Sequence, residues 1–209
     1  MVATKSKELL YPVGIESLFI AMMIGGKDSR GEIPTYETEI YRFDNIAELG
    51  IAGDPKTVQK WASNKLFVNA TKNSKYTLNL SHVALPQEVV DKIDGVIAEK
   101  GIVFDTADVK EYPMFATGFI APLSDGSRVA RWYPRVQKTP TEETFTTIGD
   151  EAEVKDQTLS MGATPLLFNN VTKVDFSEVR DSARGITAED FMKQVVLDKS
   201  QLATLFPSK

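Results

Sequence analysis

The chain has 209 residues, a formal net charge of -5, one histidine and no cysteine. Its length can bury one good core, as one or two domains, and its ordinary shares of apolar and charged residues (42% and 25%) exclude general disorder. Without cysteine there are no disulfides, thiolate zinc sites or cysteine nucleophiles, and the acidic balance disfavours tight binding to nucleic acid or an anionic membrane.

Lys5 and Lys7, ahead of an apolar stretch from Leu18 to Ile24, loosely imitate a secretory signal. Glu8 and Glu16 interrupt that approach, and Gly25-Gly26-Lys27 offers no small-x-small cleavage pattern. The stretch is also too short to span a bilayer. Ile15 to Met23 is therefore expected as a strand buried on both sides, followed by a loop from Gly25 to Pro34. Thr35 to Phe43 predicts a half-exposed strand on which Glu37 and Glu39 share a face, and Gly53-Asp54-Pro55 predicts the next turn.

Tyr76, Leu78 and Leu80 alternate with Thr77, Asn79 and Ser81, the clearest strand pattern in the chain. Asn73-Ser74-Lys75 is expected to turn into it from a strand over Val58 to Ala70. Pro86 suits a first helical turn, Val89, Val90 and Ile93 form an apolar stripe, and Gly95 ends the run. Met114 to Ala121 and Arg128 to Val136 predict a second hairpin, closed through Asp125-Gly126. Further strands are expected over 145–148, 152–161 and 171–176. Thr187 and Asp190 make a capping pair ahead of Phe191, Val195 and Val196, and Ser200 is expected to cap a last short turn. The composite is mainly β (α+β), with a β domain over residues 1–175 and a helical C-terminal segment over 176–209.

Parts for chemistry are scarce. A Ser-His-Asp hydrolase would need His82, which continues the Tyr76, Leu78, Leu80 face and reads as a half-buried, hydrogen-bonded strand residue. There is no nucleophile elbow or Walker loop, and Gly25-Gly26 lacks a dinucleotide-binding setting. Glu142, Glu143, Asp150, Glu151 and Glu153 read as solvated charge, without glycosidase spacing or the glycine of a calcium loop. No catalytic, cofactor-binding or metal-binding residue is expected, so the chain is not expected to be an enzyme. Arg128, Arg131 and Arg135, interleaved with Trp132 and Tyr133, resemble a single-stranded nucleic-acid stripe. Arg131 and Arg135 nevertheless fall on the face opposite Trp132, which favours a subunit boundary pairing arginines with a neighbour's acids.

Three segments carry a family resemblance. Asn64-Lys65-Leu66-Phe67-Val68-Asn69-Ala70-Thr71 runs into Tyr76-Thr77-Leu78-Asn79-Leu80 and then Leu85-Pro86-Gln87-Glu88-Val89-Val90. Ala116-Thr117-Gly118-Phe119-Ile120-Ala121-Pro122 continues to Arg131-Trp132-Tyr133, and Thr147-Ile148-Gly149-Asp150 follows. In order and character, over about residues 10–180, these resemble the major tail protein family of long-tailed phages of Gram-positive bacteria.

That resemblance implies a β-sandwich or barrel-like tail-tube core with one flanking helix. It also implies hexameric rings stacked into a tube in the virion tail, made in the host bacterial cytoplasm. The expected partners are further copies of the chain, tape-measure, tail-terminator and distal tail proteins, and genomic DNA passing through the lumen without specific binding; no membrane or cofactor is expected. Glu37 and Glu39 are the expected lumen lining, where carboxylates would repel phosphates. The segment after about Asp175 is left open between mobile, outward-packed and ring-bridging. The alternatives are a β-sandwich adhesion module with an aromatic platform of Trp61, Tyr112, Trp132 and Tyr133, and the tube protein of a contractile injection machine.

Overall fold

The computed structural model describes residues 9–62, 65–140, 156–183 and 185–206, and for 58, 60–62, 65–70 and 72–74 the backbone alone. Its strands are β1 (Ser17–Met22), β2 (Tyr41–Phe43), β3 (Ile46–Ala62), β4 (Lys65–His82), β5 (Phe115–Pro122), β6 (Arg128–Thr139), β7 (Gln157–Ala163) and β8 (Val174–Ser177). They form one antiparallel sheet in the order β2-β1-β5-β6-β7-β4-β3, with β8 beside β6. Helices α1 (Gln87–Asp94), α2 (Ala188–Met192) and α3 (Leu202–Leu205) complete a mixed α+β fold dominated by the sheet.

The sheet is not closed into the barrel that the resemblance implies. Among the described residues the strand order is an open path whose ends, β2 and β3, do not pair. Closure needs matched end strands, whereas β2 has 3 residues and β3 has 17.

The apolar run at the N-terminal end makes β1, and all six of its residues are buried. Leu18, Ile20 and Met22 enter one core with Val89 and Ile93 of α1, and with Leu78, Leu80, Phe115, Tyr133 and Met161. Phe19 and Ala21 enter a second core with Trp132, Phe191, Met192, Val195 and Val196. Alternation along one strand thus feeds both faces. The C-terminal segment supplies much of the second core: Phe191, Met192 and Val195 to Leu197 are buried against the sheet.

Within β6 the register to β5 slips between Phe115↔Val136 and Thr117↔Tyr133. Pro134 falls inside this bulge, where a missing N–H costs no ladder hydrogen bond. There β6 also changes partner, from β8 (Val129 to Trp132) to β7 (Val136 to Thr139).

Helix α1 begins after Pro86, which is the N-cap rather than a first-turn residue, and ends at Gly95 in the left-handed region (φ 63°). Thr187 and Asp190 make the expected reciprocal capping box on α2. Ser200 caps no turn: Asp198 caps the 3-10 turn Lys199–Gln201 by accepting from the Ser200 N–H, and α3 follows without a side-chain cap. Of the expected 35–43 strand only Tyr41–Phe43 forms, with an isolated bridge at Tyr36. The strand expected at 145–148 lies outside the described residues.

Candidate assembly surface

The sequence pattern around residues 53 and 73 predicts two turns; the structure contains none there. β3 and β4 run as one long hairpin from Ile46↔His82 to Ala62↔Lys65, with register shifts after Ile46, Gly53 and Lys60. Gly53-Asp54-Pro55 and Asn73-Ser74-Lys75 meet across the pair, where the register shifts between Gly53↔Tyr76 and Pro55↔Asn73. Turn-forming residues on both strands are absorbed into one bulge, and the hairpin continues past it.

β7 supports β4 only from Tyr76 to His82. Among the described residues β3 and β4 pair only with each other beyond that point, over roughly nine residues per strand, an arm of about 30 Å. Among the described residues no strand pairs the outer edge of β3. A long free edge presents a row of unpaired N–H and C=O groups, the main hazard of an open sheet unless another chain uses it. Thr57 and Thr71 meet across the arm, Oγ1 to Oγ1 at 3.2 Å.

The arm's charge is one-signed. No Asp or Glu occurs between Asp54 and Glu88, while Lys56, Lys60, Lys65, Lys72 and Lys75 do. Lys56 and Lys72 are register partners; like charges directly opposed weaken a strand pair. This acid-free span is readable in the sequence, but neutral residues separate the lysines, so no contiguous basic tract marks it.

A second surface also escapes sequence patterning. Residues 96–113 link α1 to β5 without a named helix or strand, turning through Lys100 (φ 53°) and Gly101 (φ 80°) under the Glu99↔Ile102 bridge. Three apolar side chains are more than four-fifths exposed here: Ile97 at 89%, Phe104 at 86% and Val109 at 98%.

The three arginines are already paired within the chain. Arg128 meets Glu178 at 3.2 Å and Glu189 at 3.6 Å; Arg131 meets Asp175 and lies over the Phe119 and Tyr133 rings. Burial raises the Asp175 carboxyl, but hydrogen bonds from Lys173 and Arg131 outweigh it and hold the group below its ordinary value. Arg135 Nε approaches Oδ2 of Asp28 at 3.2 Å, close as an ion pair but poorly aligned as a hydrogen bond. Pairing expected with a neighbour's acids is thus made intramolecularly.

Glu37 and Glu39 do not sit on a strand. They lie in the connection between Tyr36 and β2, beside α1. Glu37 is neutralised by Lys92 at 3.0 Å; exposed Glu39 is within 3.3 Å of the Tyr41 hydroxyl. Tyr36, below them, donates to the Pro134 carbonyl at 2.6 Å, and burial with the nearby Asp28 charge pushes its phenol well up.

His82 is buried, not half-buried, and its Nδ1 has no partner among the described residues. Desolvation lowers its pKa against the opposing charge of Asp156. Trp132 and Tyr133 are both fully buried, on opposite faces of β6, so they form no exposed aromatic platform. An open cleft of ≈ 600 Å³ lies between Gly25–Asp28 and Lys110–Met114. Its lysines are paired: Lys27 with Glu111 at 2.5 Å, Lys110 with Asp105 at 3.6 Å and Lys138 with Asp94 at 2.6 Å.

Among the described residues no group of three or more His, Asp or Glu side chains could hold a metal ion, and no helix is long and apolar enough to cross a membrane. No family model matches the chain, and no curated protein matches it.

Proposed function

We propose that this chain is a structural subunit that self-assembles through its sheet edges, and that the assembly is the tail tube of a long-tailed phage. The observation that carries the reading is the open sheet ending in β3, 17 residues long, with its outer edge unpaired among the described residues. A monomer with such an edge would aggregate unless the edge has a designated partner, and a ring of copies supplies one for every subunit. The segment order described above supports the phage assignment. In this reading rings stack around a lumen that conducts DNA, tape-measure, terminator and distal tail proteins bound the tube, and the chain does no bond-making.

The adhesion-module alternative loses its main support, because Trp132 and Tyr133 are core residues. A contractile-machine tube would share this architecture and differ in cargo.

Negative-stain microscopy and sedimentation of the full chain across a concentration series test the reading. Rings or tubes of uniform diameter are expected at high concentration. A species that stays monomeric at every concentration and salt would overturn it.

A further inference from the structure

We infer that the β3–β4 arm of one copy docks on the 96–112 loop of a second copy, by charge and by apolar contact. The inference rests on the reading that the chain assembles with itself. Residues 55–75 hold five lysines and no acid; the remainder then holds nineteen basic against twenty-nine acidic residues, a net of -10. The arm is therefore a cationic ribbon on an anionic body. Lys56 and Lys72 are backbone register partners, and like charges at opposed positions do not stabilise a strand pair. An anionic partner would offset the arm's one-signed charge.

The loop offers the complement. Glu99, Asp105, Asp108 and Glu111 outnumber Lys100 and Lys110; Asp105 is paired with Lys110 and Glu111 with Lys27, so Glu99 and Asp108 are the loop acids without an ion pair among the described residues. The four acids alternate in sequence with Ile97, Phe104 and Val109, three side chains more than four-fifths exposed. Large apolar side chains standing in solvent among charged ones suit a protein contact. A nucleic acid would satisfy the lysines but leave the loop uncovered. Arm and loop are different parts of one chain, so the contact is heterologous and can propagate around a ring or along a tube.

Zero-length carbodiimide cross-linking of mixed light and heavy isotope-labelled protein reads the contact directly. Expected are light-to-heavy links from Lys56, Lys60, Lys65 or Lys72 to Glu99, Asp105, Asp108 or Glu111. Self-association should weaken roughly tenfold between about 0.05 and 0.5 M NaCl. It should weaken at least about tenfold in a Phe104→Asp/Val109→Asp variant, whose exposed positions leave monomer unfolding unchanged.

Tubes that form without these links, or unaltered assembly of that variant, would overturn the docking and leave the tube reading standing. Failure to assemble at all removes both. Binding of a short DNA duplex that is lost when the four arm lysines become glutamine would reassign the arm to nucleic acid.

Discussion

The indole Nε1 of Trp132 donates to the carbonyl oxygen of Phe191, 3.3 Å away inside the second core. This one bond ties the middle of β6 to α2, and with the stacked rings of Phe176 and Phe191 (centroids 5.2 Å apart) it holds the C-terminal segment on the sheet. Trp132→Phe keeps most of the volume and strands the Phe191 carbonyl without its donor. Chemical denaturation should show a loss of about 1–3 kcal/mol; an unchanged midpoint would mean the segment is held elsewhere.

Gly118 lies under the same segment. A Cβ there would stand 2.6 Å from Met192 Cε and 2.6 Å from Trp132 Cε3. Met192 can swing away, but the indole is fixed in the core. Gly118→Ala should therefore destabilise by about 1–3 kcal/mol, and Gly118→Ala/Met192→Ala should recover little of it, because the tryptophan contact remains. Thermal melts of both variants decide this.

Asp28 is a buried carboxylate whose Oδ2 accepts from the Leu167 N–H at 2.6 Å and pairs with Arg135. Asp28→Ala leaves an orphaned N–H and a guanidinium reduced to its contacts with Thr164 and Pro165. The expected cost is about 2–3 kcal/mol. Asp28→Asn keeps the N–H acceptor and should cost less; equal losses would locate the effect in charge alone.

His82 gives the fold a pH dependence. Its folded pKa lies below the ordinary 6.5 because burial penalises the imidazolium. Between those two values the unfolded chain binds more protons, so stability falls as pH drops through 6.5 and levels off below the folded pKa. Urea midpoints from pH 7.5 to 5 should decline for the wild type and flatten for His82→Gln; parallel slopes would clear His82 of the effect.

Glu37 and Glu39 can be separated by stability. Lys92 is held above its ordinary value, first by Tyr41 and then by Glu37. Glu37→Lys breaks a half-exposed pair and sets two ammonium groups together, a cost of about 0.5–1 kcal/mol, whereas Glu39→Lys should be neutral. If the proposed tube assembly holds, Glu39→Lys is the cleaner probe of lumen charge in a reconstituted tail: slowed DNA ejection is expected, and unchanged ejection would rule out a lining role for Glu39.

The local pieces were legible because each rests on neighbours in sequence. Apolar continuity in Ser17–Met22 required burial on two faces, Gly95 could end α1 at positive φ, and Thr187 with Asp190 could close a box three residues apart. What the sequence could not state was pairing at a distance. Gly53-Asp54-Pro55 and Asn73-Ser74-Lys75 carry turn chemistry in isolation, and only their meeting across a strand pair makes them a bulge and the hairpin an arm. Arg128, Arg131 and Arg135 looked available until β8, α2 and the loop at Asp28 brought acids to them. By itself the sequence determined the strands' character and the chain's uneven charge. Tertiary structure alone decided which charges are spent within the fold and which edge stays open, because both depend on residues far apart in the chain.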